Sequence, residues 1–316
     1  MIHRLGLTLS RLACHLPDTV GRRLAVGLGW TAAALLLHER RNLQETIDRV
    51  YTRVGRPLPM PLSEIVNRVF PHFALNLYEI LRYPLVTRDL LVRRFHVHGR
   101  EHFETALQRG KGVILVVPHL GNWETLGAYL AHYGYPLHSF YLAQKEDHLG
   151  SLLDHFRTYS RIVLHDRDRG LVSALRTLKR GEVLGMISDQ DGGNYGVYLD
   201  FLGHWVSLPA GPANWSLRTG ASVVRLYCLR RGLSADFDAW FLPALPAVEG
   251  TDHEACVQVR TKHMADWMQE IILRYPHQYL WFYHRFKPRH EAQMSRLKQS
   301  GHRMRTGMTA YGIPPS

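Results

Sequence analysis

Val113-Ile-Leu-Val-Val117-Pro118-His119-Leu-Gly-Asn122-Trp123-Glu124 is the stretch on which the fold turns. Five apolar residues in a row, closed by a proline, are too few for a helix and read as a strand buried on both faces, as parallel sheets require. Asn122 is placed to cap the next helix, which puts Glu124 in its first turn. His119 then stands at the carboxyl end of a buried strand, where open α/β sheets keep their ligand crevices.

Downstream the same punctuation repeats. A helix over Asn122 to His132 is followed by a strand at Leu137 to Leu142, a helix at His148 to Tyr159, a strand at Ile162 to Leu164, a helix at Leu171 to Lys179 and a buried strand at Val183 to Ile187. Further strands are expected at Val197 to Phe201, Val223 to Leu229 and Asp236 to Leu242, with a long helix from about Asp252 to Leu273. The fold class is α/β, a mixed central sheet flanked by helices.

Upstream, residues 1–82 carry no strand signal: an amphipathic segment at Leu5 to Leu16 stops at Pro17, an apolar run spans Leu24 to Leu37, and Leu62 to Arg82 has apolar residues at helical spacing. The apolar run is shorter than the roughly 20 residues needed to cross a bilayer. Arg22, Arg23, Arg40 and Arg41 flank it, which suits lying at a membrane surface. No composition break cuts the chain into comparable halves. The expected division is a helical, membrane-associating region at 1–82, an α/β catalytic domain at 83–290 and a basic tail at 291–316 expected to be disordered.

The chain has 316 residues, 46% of them hydrophobic, enough for a sizeable core. Its 39 Lys and Arg against 27 Asp and Glu give a net charge of +12, pointing to a polyanionic partner such as an anionic lipid, an acidic carrier protein or nucleic acid. Cys14, Cys228 and Cys256 are scattered and fit neither a disulfide framework nor a zinc site. No GxSxG elbow, phosphate-binding glycine loop or HExxH motif is present, so neither a covalent serine intermediate nor a metal or nucleotide cofactor is expected.

A histidine with an acid five positions on arises by chance about 1.7 times in this composition, and His96 with Glu101 is a second such pair. Position separates the two, because His96 lies in a polar strand. An imidazole near neutrality can take the proton of an attacking hydroxyl, and a carboxylate beside it fixes the tautomer and stabilises the imidazolium. The plainer alternative is that His119 ends the strand and Glu124 complements the positive helix terminus.

The segment around His119 resembles the His, four residues, Asp/Glu motif (HX4E here) of the lysophospholipid acyltransferase superfamily, particularly its lipid A late acyltransferase branch. Three further segments resemble the same branch in order: Ile187-Ser-Asp189-Gln-Asp191-Gly-Gly, Gly196 to Gly203 leading to Pro209-Ala-Gly211-Pro212-Ala213, and the aromatic-basic Pro276 to Lys287. The resemblance spans about 110–289 and implies a glycerol-3-phosphate acyltransferase-like fold. It implies His119, Glu124, Arg161 and Asp189 as catalytic residues. Asn122, Trp123, Asp191, Gly211 and Arg285 are the substrate-binding candidates.

The activity that the resemblance implies is transfer of a fatty acyl group from acyl carrier protein or coenzyme A to a hydroxyl of an anionic lipid, a lipid A precursor above all. It implies the cytoplasmic face of the inner membrane as the site of action, as a monotopic or singly anchored protein. Asn122-Trp123 departs from the enterobacterial lauroyl-transferring form and is similar to phosphatidylinositol mannoside acyltransferases, which keeps that acceptor and lysophospholipids open. A lipid esterase, with water in place of the alcohol, and a basic nucleic-acid binder are the rivals, the latter without any recognised binding motif.

Overall fold

The computed structural model describes residues 2–141, 148–166, 171–250 and 252–282. Four helices come first, α1 (Ile2–His15), α2 (Asp18–Leu35), α3 (Leu37–Val54) and α4 (Leu62–Leu81). After α5 (Arg88–Arg94) the chain alternates through β1 (Phe95–His98), α6 (Arg100–Gln108), β2 (Val113–Val117), α7 (Trp123–Tyr133), β3 (Leu137–Tyr141), α8 (His148–Arg157), β4 (Val163–Asp166), α9 (Leu171–Lys179) and β5 (Val183–Ile187). A hairpin of β6 (Val197–Phe201) and β7 (His204–Leu208) precedes α10 (Gly211–Thr219), β8 (Ser222–Arg230), β9 (Phe237–Phe241) and α11 (His253–Arg274).

Seven strands form one sheet in the order β1-β9-β8-β2-β5-β3-β4. The neighbours from β8 to β4 run parallel, while β9 is antiparallel to β8 and β1 parallel to β9, so the sheet is mixed as expected. Its central strand is β2, buried at all five positions. Ile114 and Val116 join the core on one face with α4 and α11, and Val113, Leu115 and Val117 join the other with α7, which is why the run has no polar alternation.

The hairpin partner β7 exceeds the sequence expectation, which has a strand only at Val197 to Phe201. Its two-residue turn places Leu202 (φ 54°) and Gly203 (φ 73°) in the left-handed region. Leucine there is uncommon, so the usual Asn-Gly type of hairpin signal is missing. A Cβ on Gly203 would lie 2.6 Å from that of Arg53, so α3 packs directly over the turn.

Near the amino terminus the apolar run is broken at Leu36, and α3 leaves α2 at 85°. Among the described residues no single helix is long and apolar enough to cross a membrane; α2 and α3 meet that test only as a bent pair. One face of α2, made of Gly21, Ala25, Gly29 and Ala33, is buried, and a Cβ on Gly29 would sit 2.5 Å from the Cα of Pro71 in α4. Its other face leaves Leu24, Leu28 and Leu35 exposed, as α1 leaves Leu5, Leu9 and Leu12.

A buried carboxylate ties these helices to the sheet. Glu79 of α4 accepts from Arg22 of α2 (2.7 Å), from both terminal nitrogens of Arg230 at the end of β8 (2.6 Å each) and from Asn122 (2.5 Å). Arg230 also donates to Asn76 (2.9 Å) and lies over the Phe237 ring. Burial would push the Glu79 carboxyl up, but Arg230 and Arg22 outweigh it and hold the group at about 2.

Because that folded value is below the ordinary 4.5, the stability this group contributes is complete above about pH 4.5 and is lost as the pH falls towards 2. Glu79→Gln is expected to cost about 3–5 kcal/mol at pH 7 by leaving two buried guanidinium groups uncompensated. It is also expected to flatten the acid limb of a urea-denaturation stability profile, and equal acid slopes in the two proteins would contradict the ion cluster as described.

Candidate active site

Val117 of β2 and Ile187 of β5 are paired in register, so the residues two positions beyond each strand, His119 and Asp189, leave the sheet side by side. One Asp189 oxygen accepts from the His119 backbone N–H (3.1 Å) and the other lies 2.7 Å from His119 Nδ1. An ionised carboxylate only accepts, so Nδ1 carries the proton and Nε2 is left with its lone pair. Gln190, within the Asp189-Gln-Asp191 segment but not among the residues singled out there, brings its amide nitrogen to 3.2 Å from that Nε2. Trp123 sets its ring against the imidazole at 75° with centroids 4.7 Å apart.

Of the two acids expected at the site, Asp189 and not Glu124 makes the contact that fixes the tautomer of the imidazole. Glu124 is in the first turn of α7 as the spacing requires, buried, and held by Arg157 of α8 through Nε (3.0 Å) and a terminal nitrogen (2.5 Å). Burial would raise its pKa, yet the charge and hydrogen bonds of Arg157, with a smaller contribution from His119, keep the carboxyl below its ordinary range. Glu124 thus stands within electrostatic reach of the imidazole without fixing its tautomer.

Arg161 stands apart from this pair. It is exposed, in the left-handed conformation (φ 61°) after a 3-10 turn, and the arginine that reaches the buried acid is Arg157, four residues earlier. Asn122 is 1% exposed and fully committed: its oxygen caps α7 by accepting from Thr125 N–H (3.0 Å) and its nitrogen donates to Glu79. Through these two contacts it positions the start of α7. Asp191 accepts from Gly193 N–H (3.0 Å) in a tight turn, and Gly211 is a buried residue opening α10. Arg285 and the expected tail at 291–316 lie outside the described residues.

A short antiparallel ladder clamps the loop that carries His119. Leu280 N–H donates to His119 C=O (3.0 Å), Gly121 N–H to Gln278 C=O (3.0 Å), and Asn76 to Gly121 C=O (2.7 Å). Gly121 has φ 65°, and a Cβ there would fall 2.1 Å from the carbonyl oxygen of Cys228, so only glycine permits the loop to lie against β8. Cys228 itself is buried and its thiol pushed up to about 12, which rules it out as an activated nucleophile.

The sequence matches the family described as bacterial lipid A biosynthesis acyltransferase across residues 1–288, and the chain belongs to that family. It is an acyltransferase that moves groups other than aminoacyl groups to lipid acceptors. It is 25% identical to a phosphatidylinositol mannoside acyltransferase of Mycolicibacterium smegmatis over 238 residues, 74% of this chain and 75% of the relative. It is 22% identical to a lipid A biosynthesis acyltransferase of Haemophilus influenzae over 292 residues (91% and 86%). With the lipid A biosynthesis lauroyltransferase of Escherichia coli it shares 24% over 302 residues (92% and 93%).

Arg157→Ala would strand the buried Glu124 carboxylate, with an expected loss of about 3–5 kcal/mol of folding stability. The denaturation midpoint measures it, and a shift no larger than that of a surface arginine such as Arg218→Ala would contradict the pairing.

Proposed function

We propose that this protein transfers a fatty acyl group from a thioester, carried by acyl carrier protein or coenzyme A, to a hydroxyl of an anionic glycolipid, with a lipid A precursor as acceptor. The observation that carries the mechanism is the Asp189 carboxylate on His119 Nδ1, which leaves Nε2 as a base at the carboxyl edge of the sheet. The acceptor hydroxyl, replacing the Gln190 amide, gives its proton to Nε2 as its oxygen adds to the thioester carbonyl. The tetrahedral intermediate then collapses, the carbon–sulfur bond breaks, and the leaving thiolate takes the proton from the imidazolium. Asp189 orients the ring and stabilises its charge without being protonated, and the Glu124 carboxylate adds to that stabilisation through space.

A phosphatidylinositol mannoside acceptor is the second reading, favoured by the relatives of that name. The membrane side of the proposal is supported by the exposed leucines of α1 and α2 together with exposed Arg4, Arg11, Arg23 and Arg41, a combination suited to an anionic leaflet. This arrangement fits a monotopic enzyme at the cytoplasmic face of the inner membrane.

His119→Ala should lower transfer by about 10²–10⁴-fold, and Asp189→Asn by a comparable factor, with circular dichroism unchanged. A labelled acyl donor reads this directly. Near-normal turnover in either variant rejects the mechanism, and labelled free fatty acid as the main product would make the enzyme an esterase. Replacing Leu24, Leu28 and Leu35 together by glutamate spares the buried face of α2 and should abolish co-sedimentation with phosphatidylglycerol vesicles; unaltered sedimentation would remove α2 from the membrane contact.

A further inference from the structure

One cavity among the described residues does not have His119 in its lining. It has a volume of about 850 Å³ and lies beyond the end of β8, bounded by the first half of α4, the loop Arg231-Gly232-Leu233 and the turn at Tyr275 to Gln278. Since β8 runs parallel to β2, its carboxyl end is on the same edge of the sheet as the catalytic histidine, one strand away. Gln278 belongs to both places, lining the cavity with its neighbour His277 while its carbonyl accepts from Gly121 in the clamp behind His119. A separate narrow crevice has His72, His277 and Gln278 in common with the cavity and is also lined by Trp123, which touches the imidazole.

The lining mixes apolar side chains, Leu229, Leu233 and Trp240 among them, with polar groups, and it is not a uniformly cationic pocket for free phosphate. Planar polar groups of both signs face it: the carboxylates Glu64 and Asp238, the guanidinium groups Arg68 and Arg231, and the amide of Asn67. Arg231 is paired with Asp238 through two contacts (2.6 and 2.7 Å) and Arg68 with Glu64 (2.5 Å), all of them part-exposed pairs that exchange partners at little cost. His72 and His277 both have pKa values lowered by burial, His277 to about 4, so each is a neutral ring offering one donor and one acceptor. Vicinal hydroxyls need donors and acceptors side by side in flat pairs, with a ring to lie against. Trp30 supplies that ring at the rim, at the border of the solvent-exposed arc of α2 that also carries Leu24 and Leu28.

We propose that this cavity binds the carbohydrate headgroup of the acceptor, at a distance from the hydroxyl that is acylated. The assignment rests on the reading of the acceptor as a glycolipid. It makes Asn67, Arg68 and Trp30 specificity-determining residues for the headgroup, separate from the base at His119. Binding energy gathered on this non-reacting part of the substrate positions the reacting hydroxyl.

The test uses the full chain in detergent, with N,N′-diacetylchitobiose and methyl α-mannopyranoside as soluble probes in saturation-transfer NMR. At least one sugar is expected to bind, with affinity reduced about tenfold or more by Asn67→Ala and Arg68→Ala and kept in His119→Ala. In transfer assays the same two variants should raise KM for the glycolipid acceptor about tenfold with kcat within a factor of about two, and leave KM for a long-chain alcohol lacking a sugar unchanged. Absence of saturation transfer to both sugars, affinities within twofold of the parent in both variants, or an equal KM rise for the sugar-free alcohol would overturn the proposal. Sugar binding lost in the two variants, in a protein with no acyl transfer to any lipid, would support the cavity assignment while refuting the acyltransfer reading.

Discussion

Asp189 gives one oxygen to the backbone amide of His119 and the other to its ring, and both contacts exist because β2 and β5 run parallel and in step. A slip of one residue between these strands would turn each side chain to the opposite face. The site therefore depends on register, and register depends on two apolar strands, β2 buried at every position and β5 at Val183, Leu184 and Met186. The amide contact matters as much as the ring contact, because it prevents the carboxylate from swinging away when the imidazole changes charge.

Behind this pair, the loop from His119 to Asn122 is held on every side by groups that are themselves buried. The turn at Gln278 to Leu280 clamps its backbone, Asn76 takes the carbonyl of Gly121, and Asn122 is bound to Glu79. Glu79 in turn gathers Arg22 from α2 and Arg230 from β8. The helix that presents leucines to its surroundings is thus joined through one carboxylate to the cap of the helix carrying Glu124. Removing one member of such a cluster leaves buried charge uncompensated, so its charges stabilise the fold only together.

Much of this is written in the sequence. The uninterrupted Val113–Val117 run announces a buried central strand, Asn122 announces the start of α7, and the position of His119 after that strand singles it out from His96. What local spacing could not supply is pairing across the fold. Five positions separate His119 from Glu124, and that proximity suggests a hydrogen bond, yet helix direction turns Glu124 towards α8, and the ring's partner comes from seventy residues away through strand order. Arg157, which holds Glu124, has no signal in the local sequence and shows itself only once the end of α8 is packed against α7. Asn122 and Glu79 show the same limit, since a cap residue's second bond is invisible until α4 is packed against it.

The claim beneath all of this is that His119 presents an unprotonated Nε2 because Asp189 holds the proton on Nδ1. Long-range ¹⁵N–¹H correlation spectra of ¹⁵N-histidine-labelled protein at neutral pH, with the His119 signals assigned by their loss in His119→Gln, report that tautomer directly. A predominant Nδ1–H form that disappears in Asp189→Asn is the predicted result; an Nε2–H ring indifferent to Asp189 would contradict the account.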